Sequence, residues 1–204
     1  MKNATQRLLT TLTLSACLGA ALSACAPVMV GGFAMSTLMA TDRRTAGTQV
    51  DDESIELRGA SRIRDNLGER GHVNITSYNR QVLLSGEVPT AQDRQLVEQV
   101  VTKVDNVRAI VNELVVAENT SLTQRASDIL ITGKVKASLV DAKDLFATAF
   151  KIVTERGTVH IMGRVTQREA NRAADIARGV DGVKKVVRIV ETISEEELQS
   201  LTTK

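Results

Sequence analysis

The sequence predicts an α+β protein: two tandem αββαβ domains, each a three-stranded mixed sheet covered by two helices, set behind a lipidated leader. Three observations carry that reading. The chain matches itself, the stretch from Val73 to Val116 pairing with the stretch from Phe150 to Ile193. Within each copy an alternation of period two gives way to a helical period and then returns. Ahead of each copy stands a further apolar row at helical spacing.

The self-match keeps its order at several levels. Val82, Leu84, Gly86 and Val88 correspond to Val159, Ile161, Gly163 and Val165. After Pro89, a single insertion, Thr90, Val104, Asp105 and Val107 meet Thr166, Val180, Asp181 and Val183. Two units of this length are too few and too large for a solenoid, so they read as small domains in tandem.

The amino end carries export chemistry. Lys2 and Arg7 supply a positive region and Leu8 to Ala21 an apolar one, predicting a signal peptide over residues 1–24. Leu22-Ser23-Ala24-Cys25 has the form of a bacterial lipobox, which makes Cys25 the acylated mature N-terminus. Ala26 follows it, with no aspartate to suggest inner-membrane retention, so the outer membrane is the expected destination. Residues 25–50 form the leader. Its apolar part, Pro27 to Ala40, is broken at Gly31 and Gly32 and falls short of the roughly 20 residues a spanning helix needs. An interfacial segment, a tether and a poorly ordered leader remain open.

The first domain is expected over residues 51–117. Gly59, Ile63 and Leu67 form a helical row; Val73, Ile75 and Ser77, then Val82 to Val88, alternate as strands about a turn at Asn79-Arg80. Leu96, Val97, Val100, Val101 and Val104 make the second helical stripe, and Val107 to Val116 the closing strand. The second domain, 118–193, repeats this with Ile131, Val135 and Leu139, a turn at Arg156-Gly157, the thinner stripe Ala170, Ala173, Ala174 and Ala177, and a strand from Val183 to Ile193. In the tail, 194–204, the acidic run "SEEELQ" reads as an N-capped final turn or a frayed end.

Composition narrows the function. The chain has 26 basic and 24 acidic residues, and discounting Lys2 and Arg7 with the signal leaves it near neutral. Bulk electrostatic binding to nucleic acid is therefore excluded, and any anionic partner must be met by a local patch. Aromatic residues make up only 2%, so platforms for stacking bases are lacking too. The two cysteines, Cys17 in the signal and Cys25 under lipid, leave no disulfide or thiolate metal site.

The αββαβ order, Gly86 and Gly163 in the hairpins, and the "V-D-x-V" run before each last strand resemble the BON domain, found in bacterial periplasmic and outer-membrane proteins. With the lipobox and the segment "ATDRRTAGTQVDD" at Ala40 to Asp52, the whole chain is similar to the dual-domain outer-membrane lipoproteins of that family. The resemblance implies a lipid anchor on the periplasmic face of the outer membrane and a role in envelope integrity. It also implies binding of anionic phospholipids such as phosphatidylglycerol and cardiolipin by the second domain, and an association with the β-barrel assembly machinery.

The first helices of the two domains differ where they need not. The second carries an apolar edge beside its core row, Ile129, Gly133, Lys136 and Val140, with Leu130 next to it. In the first domain the equivalents are Leu57, Ser61, Arg64 and Gly68, with Arg58 alongside, an ordinary solvated face. A second apolar edge predicts a binding surface. Lys134 and Lys136 suit lipid phosphates, while Leu130 and Val140 suit the acyl boundary. Packing against the first domain, a second copy or an envelope assembly protein is the alternative. Leu130 stands where the resemblance implies an aromatic, which lowers the expected affinity.

No catalytic reading emerges. His72 falls at a strand entry and His160 on the outward register of a strand, neither with a cysteine or paired carboxylate at ligand spacing, so neither is expected to bind a metal. No nucleophile elbow or phosphate loop is present, and no cofactor is expected beyond the lipid on Cys25.

Overall fold

The computed structural model describes residues 42–202. The predicted signal peptide, Cys25 and most of the leader lie outside them. The remainder forms one compact unit containing both domains.

Helix α1 (Ala46–Leu67) opens the first domain. Thr45 caps it by accepting the Thr48 amide at 3.1 Å. Its buried row is Asp52, Ile55, Gly59, Ile63 and Leu67, the expected row extended by two turns at the start. Gly59 belongs in the row: a Cβ there would lie 2.3 Å from Ile75 Cδ1, so the helix sits against the sheet at a distance where any larger residue must displace the Ile75 side chain. Strands β1 (His72–Tyr78) and β2 (Gln81–Val88) form an antiparallel hairpin in which Tyr78 faces Gln81. The turn residues Asn79 and Arg80 both have positive φ, 52° and 63°, the two-residue geometry whose twist matches the flanking strands.

Helix α2 (Ala91–Thr102), capped by Thr90, buries Val97, Val100 and Val101 on that hairpin. The closing strand differs from expectation. Instead of one run from Val107 to Val116 there are two short pieces, β3 (Ala109–Asn112) and β4 (Val115–Val116), both parallel to β2. Leu114 interrupts the run by turning into the core, and Asn112 Oδ1 accepts its amide at 3.2 Å.

The second domain repeats the order with α3 (Leu122–Asp141), β5 (Phe150–Glu155), β6 (Thr158–Thr166), α4 (Gln167–Arg178) and β7 (Lys185–Ile193). Strands β5 and β6 are antiparallel, and β7 lies parallel to β6 along its full length. The small stripe Ala170, Ala173, Ala174 and Ala177 is wholly buried, bringing α4 close to its sheet. Thr166 and Glu169 close a capping box at its start. The acidic tail is a helix, α5 (Glu195–Thr202), with Ser194 Oγ accepting the Glu197 amide at 3.1 Å.

Each sheet packs its two helices on one face, and its other face packs against the other domain. Leu83 of β2 and Met162 of β6, both fully buried, join Tyr78 and Ile189 in a third apolar cluster separate from the two domain cores. Strand β2 is therefore buried on both faces, as strands between two packed layers must be. Polar contacts ring this interface: Lys151 Nζ to Glu56 at 2.6 Å, Asn79 to Glu191 at 2.6 Å and Tyr78 Oη to the Ala149 carbonyl at 3.2 Å.

The leader was expected to reach residue 50; its last part is instead built into the fold. Arg43 is buried and makes a two-pronged ion pair with Glu169, at 2.7 and 2.8 Å, reaching from the entry of domain one to the capping box of domain two. Arg44 lies over the Tyr78 ring at 4.3 Å and pairs with Asp42 and Asp52. A polar segment rich in Thr, Arg and Gly has the composition of a loop, and its partners stand too far along the chain to register as a local pattern.

Candidate functional site

Helix α3 has two apolar faces. Its core row is Asp128, Ile131, Val135 and Leu139, all buried. Exposed on it are Leu122 (81%), Ile129 (71%), Leu130 (67%) and Val140 (70%), values that leave these side chains almost wholly in solvent. At about 100° per residue, Leu122, Ile129, Gly133 and Val140 fall within a narrow sector, and Leu130 lies further round. That sector points away from the core row, not beside it as the sequence suggests. Gly133 lies open on it, with nothing within 4 Å of where a Cβ would stand.

Two lysines flank this face. Lys134 approaches Asp181 at 3.6 Å, both side chains largely exposed, so the contact is a weak one. Lys136 is exposed and has no ion-pair partner among the described residues. On α1 the same contact recurs, because the equivalent Asp52 and Asp128 set the two helices one turn out from the pairing that the sequence suggests: Arg58 stands where Lys134 does and pairs with Asp105 at 2.9 Å, and Arg62 donates to the Lys103 carbonyl. Leu57 remains exposed there without apolar company at Ser61 and Arg64. Among the described residues no helix is long and apolar enough to cross a membrane.

Beside α3, a cavity of about 350 Å³ opens between the domains. His72 and Asn74 line it from domain one, and Asp128, Ile129, Thr132 and Glu155 from domain two. Sequence spacing places no carboxylate beside His72, but the fold supplies two: Glu87 from the paired strand and Glu155 from the other domain. Their ligand atoms and those of His72 lie within 4.8 Å of one another. Glu87 is fully buried, Glu155 and His72 half so. Burial pushes the Glu155 carboxyl above its ordinary value; the Asn74 hydrogen bond opposes this, and the nearby Glu87 and Asp128 charges add to it.

His160 also departs from expectation. The outward register of β6 faces the other domain, not solvent, so the ring is 2% exposed with no hydrogen-bond partner for either nitrogen. Burial holds its pKa below the ordinary 6.5, against a smaller opposing pull from Glu113. The nearest charge is the Glu113 carboxylate, 3.9 Å from its Nε2.

Sequence reasoning passed over Asp52 and Asp128, which occupy the same place in each copy. Asp52 accepts the turn amides of Asn79 and Arg80 at 2.8 and 2.7 Å; Asp128 accepts those of Arg156 and Gly157, each at 2.9 Å. Each fastens the first helix to the hairpin turn of its own domain. Both residues sit in the core row of a helix, where an acid three positions before an isoleucine is the only local signal.

A mixed sheet of αββα(β) order, present twice with the same carboxylate clamp in each copy, defines a tandem α+β repeat protein. The chain belongs to the BON-domain family, whose profile matches residues 51–118 and again 127–192. Among its relatives, the Outer membrane lipoprotein DolP of Haemophilus influenzae is 37% identical over 82% of this chain and 88% of its own length. A 21 kDa hemolysin of Actinobacillus pleuropneumoniae is 35% identical over 73% of this chain and 78% of its own. The Osmotically-inducible protein Y of Escherichia coli is 28% identical over 72% and 75%.

Proposed function

We propose that this protein is a lipoprotein of the outer membrane, anchored through Cys25 on the periplasmic face, that supports envelope integrity by binding anionic phospholipid through α3. Location and anchor are supported by the lipobox and by the relative named an outer membrane lipoprotein. The lipid site is supported by one observation: four large apolar side chains stand exposed on the side of α3 away from its core, with Lys134 and Lys136 at its flanks. Such a face lies flat in a bilayer interface, its apolar groups at the acyl boundary and its ammoniums among phosphates. Phosphatidylglycerol and cardiolipin fit because each lysine near an anionic surface adds about 1 kcal/mol, whereas a zwitterionic surface offers no such gain. Association with the β-barrel assembly machinery belongs to the same proposal and rests on the family resemblance alone.

The test uses the fragment 42–204, free of acyl groups, sedimented with phosphatidylcholine vesicles with and without phosphatidylglycerol. Leu130→Glu removes about 2 kcal/mol of apolar transfer and adds a charge of the wrong sign, so binding to the anionic vesicles falls by more than about tenfold. Unchanged binding by a folded Leu130→Glu variant would place the contact elsewhere and leave the exposed face for a protein partner.

A further inference from the structure

The cluster of His72, Glu87 and Glu155 lies between the domains beside the cavity that Ile129 of α3 also lines, and it sets two carboxylates together with Arg156, which pairs with Glu87 at 3.4 Å. Two carboxylates meet there, one of them fully buried, with Asp128 lining the same cavity as Glu155. Glu87 has four polar neighbours, and every one is long: His72 Nδ1 at 3.2 Å, Thr120 Oγ1 at 3.3 Å, the Thr120 amide at 3.4 Å and Arg156 at 3.4 Å. A buried carboxylate satisfied by its neighbours draws charged donors to about 2.7–2.9 Å.

We propose that His72, Glu87 and Glu155 form a binding site for one late first-row divalent cation, Zn²⁺ by its donor set, which ties domain one to domain two. One imidazole nitrogen and two carboxylate oxygens with a water suit Zn²⁺ better than the all-oxygen shells of Mg²⁺ or Ca²⁺. In a tetrahedral shell, bonds of about 2.0–2.2 Å set the ligand atoms of one ion about 3.3–3.6 Å apart. The ligand atoms now lie within 4.8 Å of one another, so they must draw together to hold the ion. Asn74 supplies an outer partner, donating to Glu155 Oε1 at 2.5 Å and lying 3.5 Å from His72 Nε2. The cavity of about 350 Å³ beside α3 gives the ion its entry. Because His72 and Glu87 come from one domain and Glu155 from the other, the bound ion joins them.

The experiment uses the full chain in detergent, stripped with a chelator and with free thiols alkylated. Zn²⁺ binding is followed by competition with a chromogenic indicator. The chain has only two histidines, so the variants are few: His72→Gln, Glu155→Gln and, as the contrast, His160→Gln. One ion per chain is expected, with affinity lowered more than about tenfold in His72→Gln and Glu155→Gln and kept in His160→Gln. Zn²⁺ should also raise the melting midpoint of the wild type but not of Glu155→Gln, whose half-exposed site tolerates the substitution. Binding below one ion per chain, binding equal to wild type in His72→Gln and Glu155→Gln, or binding that follows His160 instead would overturn the proposal. The vesicle assay does not read this site, so the two can fail separately.

Discussion

Replacing Asp52 and Asp128 by alanine measures how the two domains hold their hairpin turns. Asp128→Ala strands the amides of Arg156 and Gly157, both in a turn whose residues have positive φ. At about 1–3 kcal/mol for each donor left without an acceptor, and with Arg156 partly hydrated, the expected loss is about 2–4 kcal/mol. Asp52→Ala strands more: the amides of Asn79 and Arg80, the Ser77 hydroxyl at 2.6 Å and the Arg44 guanidinium at 2.8 Å. Breaking a largely buried ion pair on top of two amides raises the expected loss to about 4–6 kcal/mol, close to the whole stability of many domains. The isosteric Asp52→Asn keeps one acceptor, turns a donor toward another and falls between. Urea unfolding of fragment 42–204 reads these values, and the slope with denaturant should stay constant. If Asp52→Ala costs no more than Asp128→Ala, or if both cost less than about 1 kcal/mol, the carboxylates are bystanders and the turns hold themselves.

Other outcomes follow from the same contacts. Arg43→Met leaves the buried Glu169 carboxylate without its partner and should cost about 3 kcal/mol in urea unfolding. Burial alone would raise Glu169; the Arg43 and Thr166 hydrogen bonds outweigh it and hold the carboxyl below its ordinary 4.5. That pair's contribution is therefore present above pH 4.5 and lost as pH falls through the lowered value, and the acid loss should shrink in Arg43→Met. His160, depressed by burial, is kept neutral by the fold, so its contribution is intact above pH 6.5 and declines as pH drops below it; His160→Gln should flatten the profile in that window. Gly133→Ala, on an open helix surface, should raise stability by about 1 kcal/mol in urea unfolding. Gly86→Ala should do the reverse, since φ is +111° and a Cβ would lie 2.0 Å from the His72 carbonyl oxygen.

Periodicity made the repeated architecture legible, because each helix and strand buries one face and writes that face into its spacing. Gly59, Ile63 and Leu67, and Ile131, Val135 and Leu139, appear in the structure as the expected rows. The exposed residues of α3 were legible for the same reason, although their position across the helix from the core was not. Everything set by the second face of each sheet was hidden. His160 and Met162 alternate with core residues, so the pattern assigns them to solvent; only the packing of one domain on the other buries them. Leu114 falls inside the expected continuous strand because a break of two residues, Glu113 and Leu114, keeps the period of two and leaves no periodic trace. Glu155 beside His72, and Arg43 beside Glu169, depend on closure across the whole chain.

That last contact also has an order in time. Arg43 is synthesised 126 residues ahead of Glu169. The hairpins and their first helices close on nearby partners, but this lock waits for nearly the entire second domain. Throughout that interval the guanidinium stays open to chaperones, to lipid phosphates or to a premature partner such as Asp42. A chain cut short before residue 169 lacks the carboxylate that Arg43 pairs with in the finished fold.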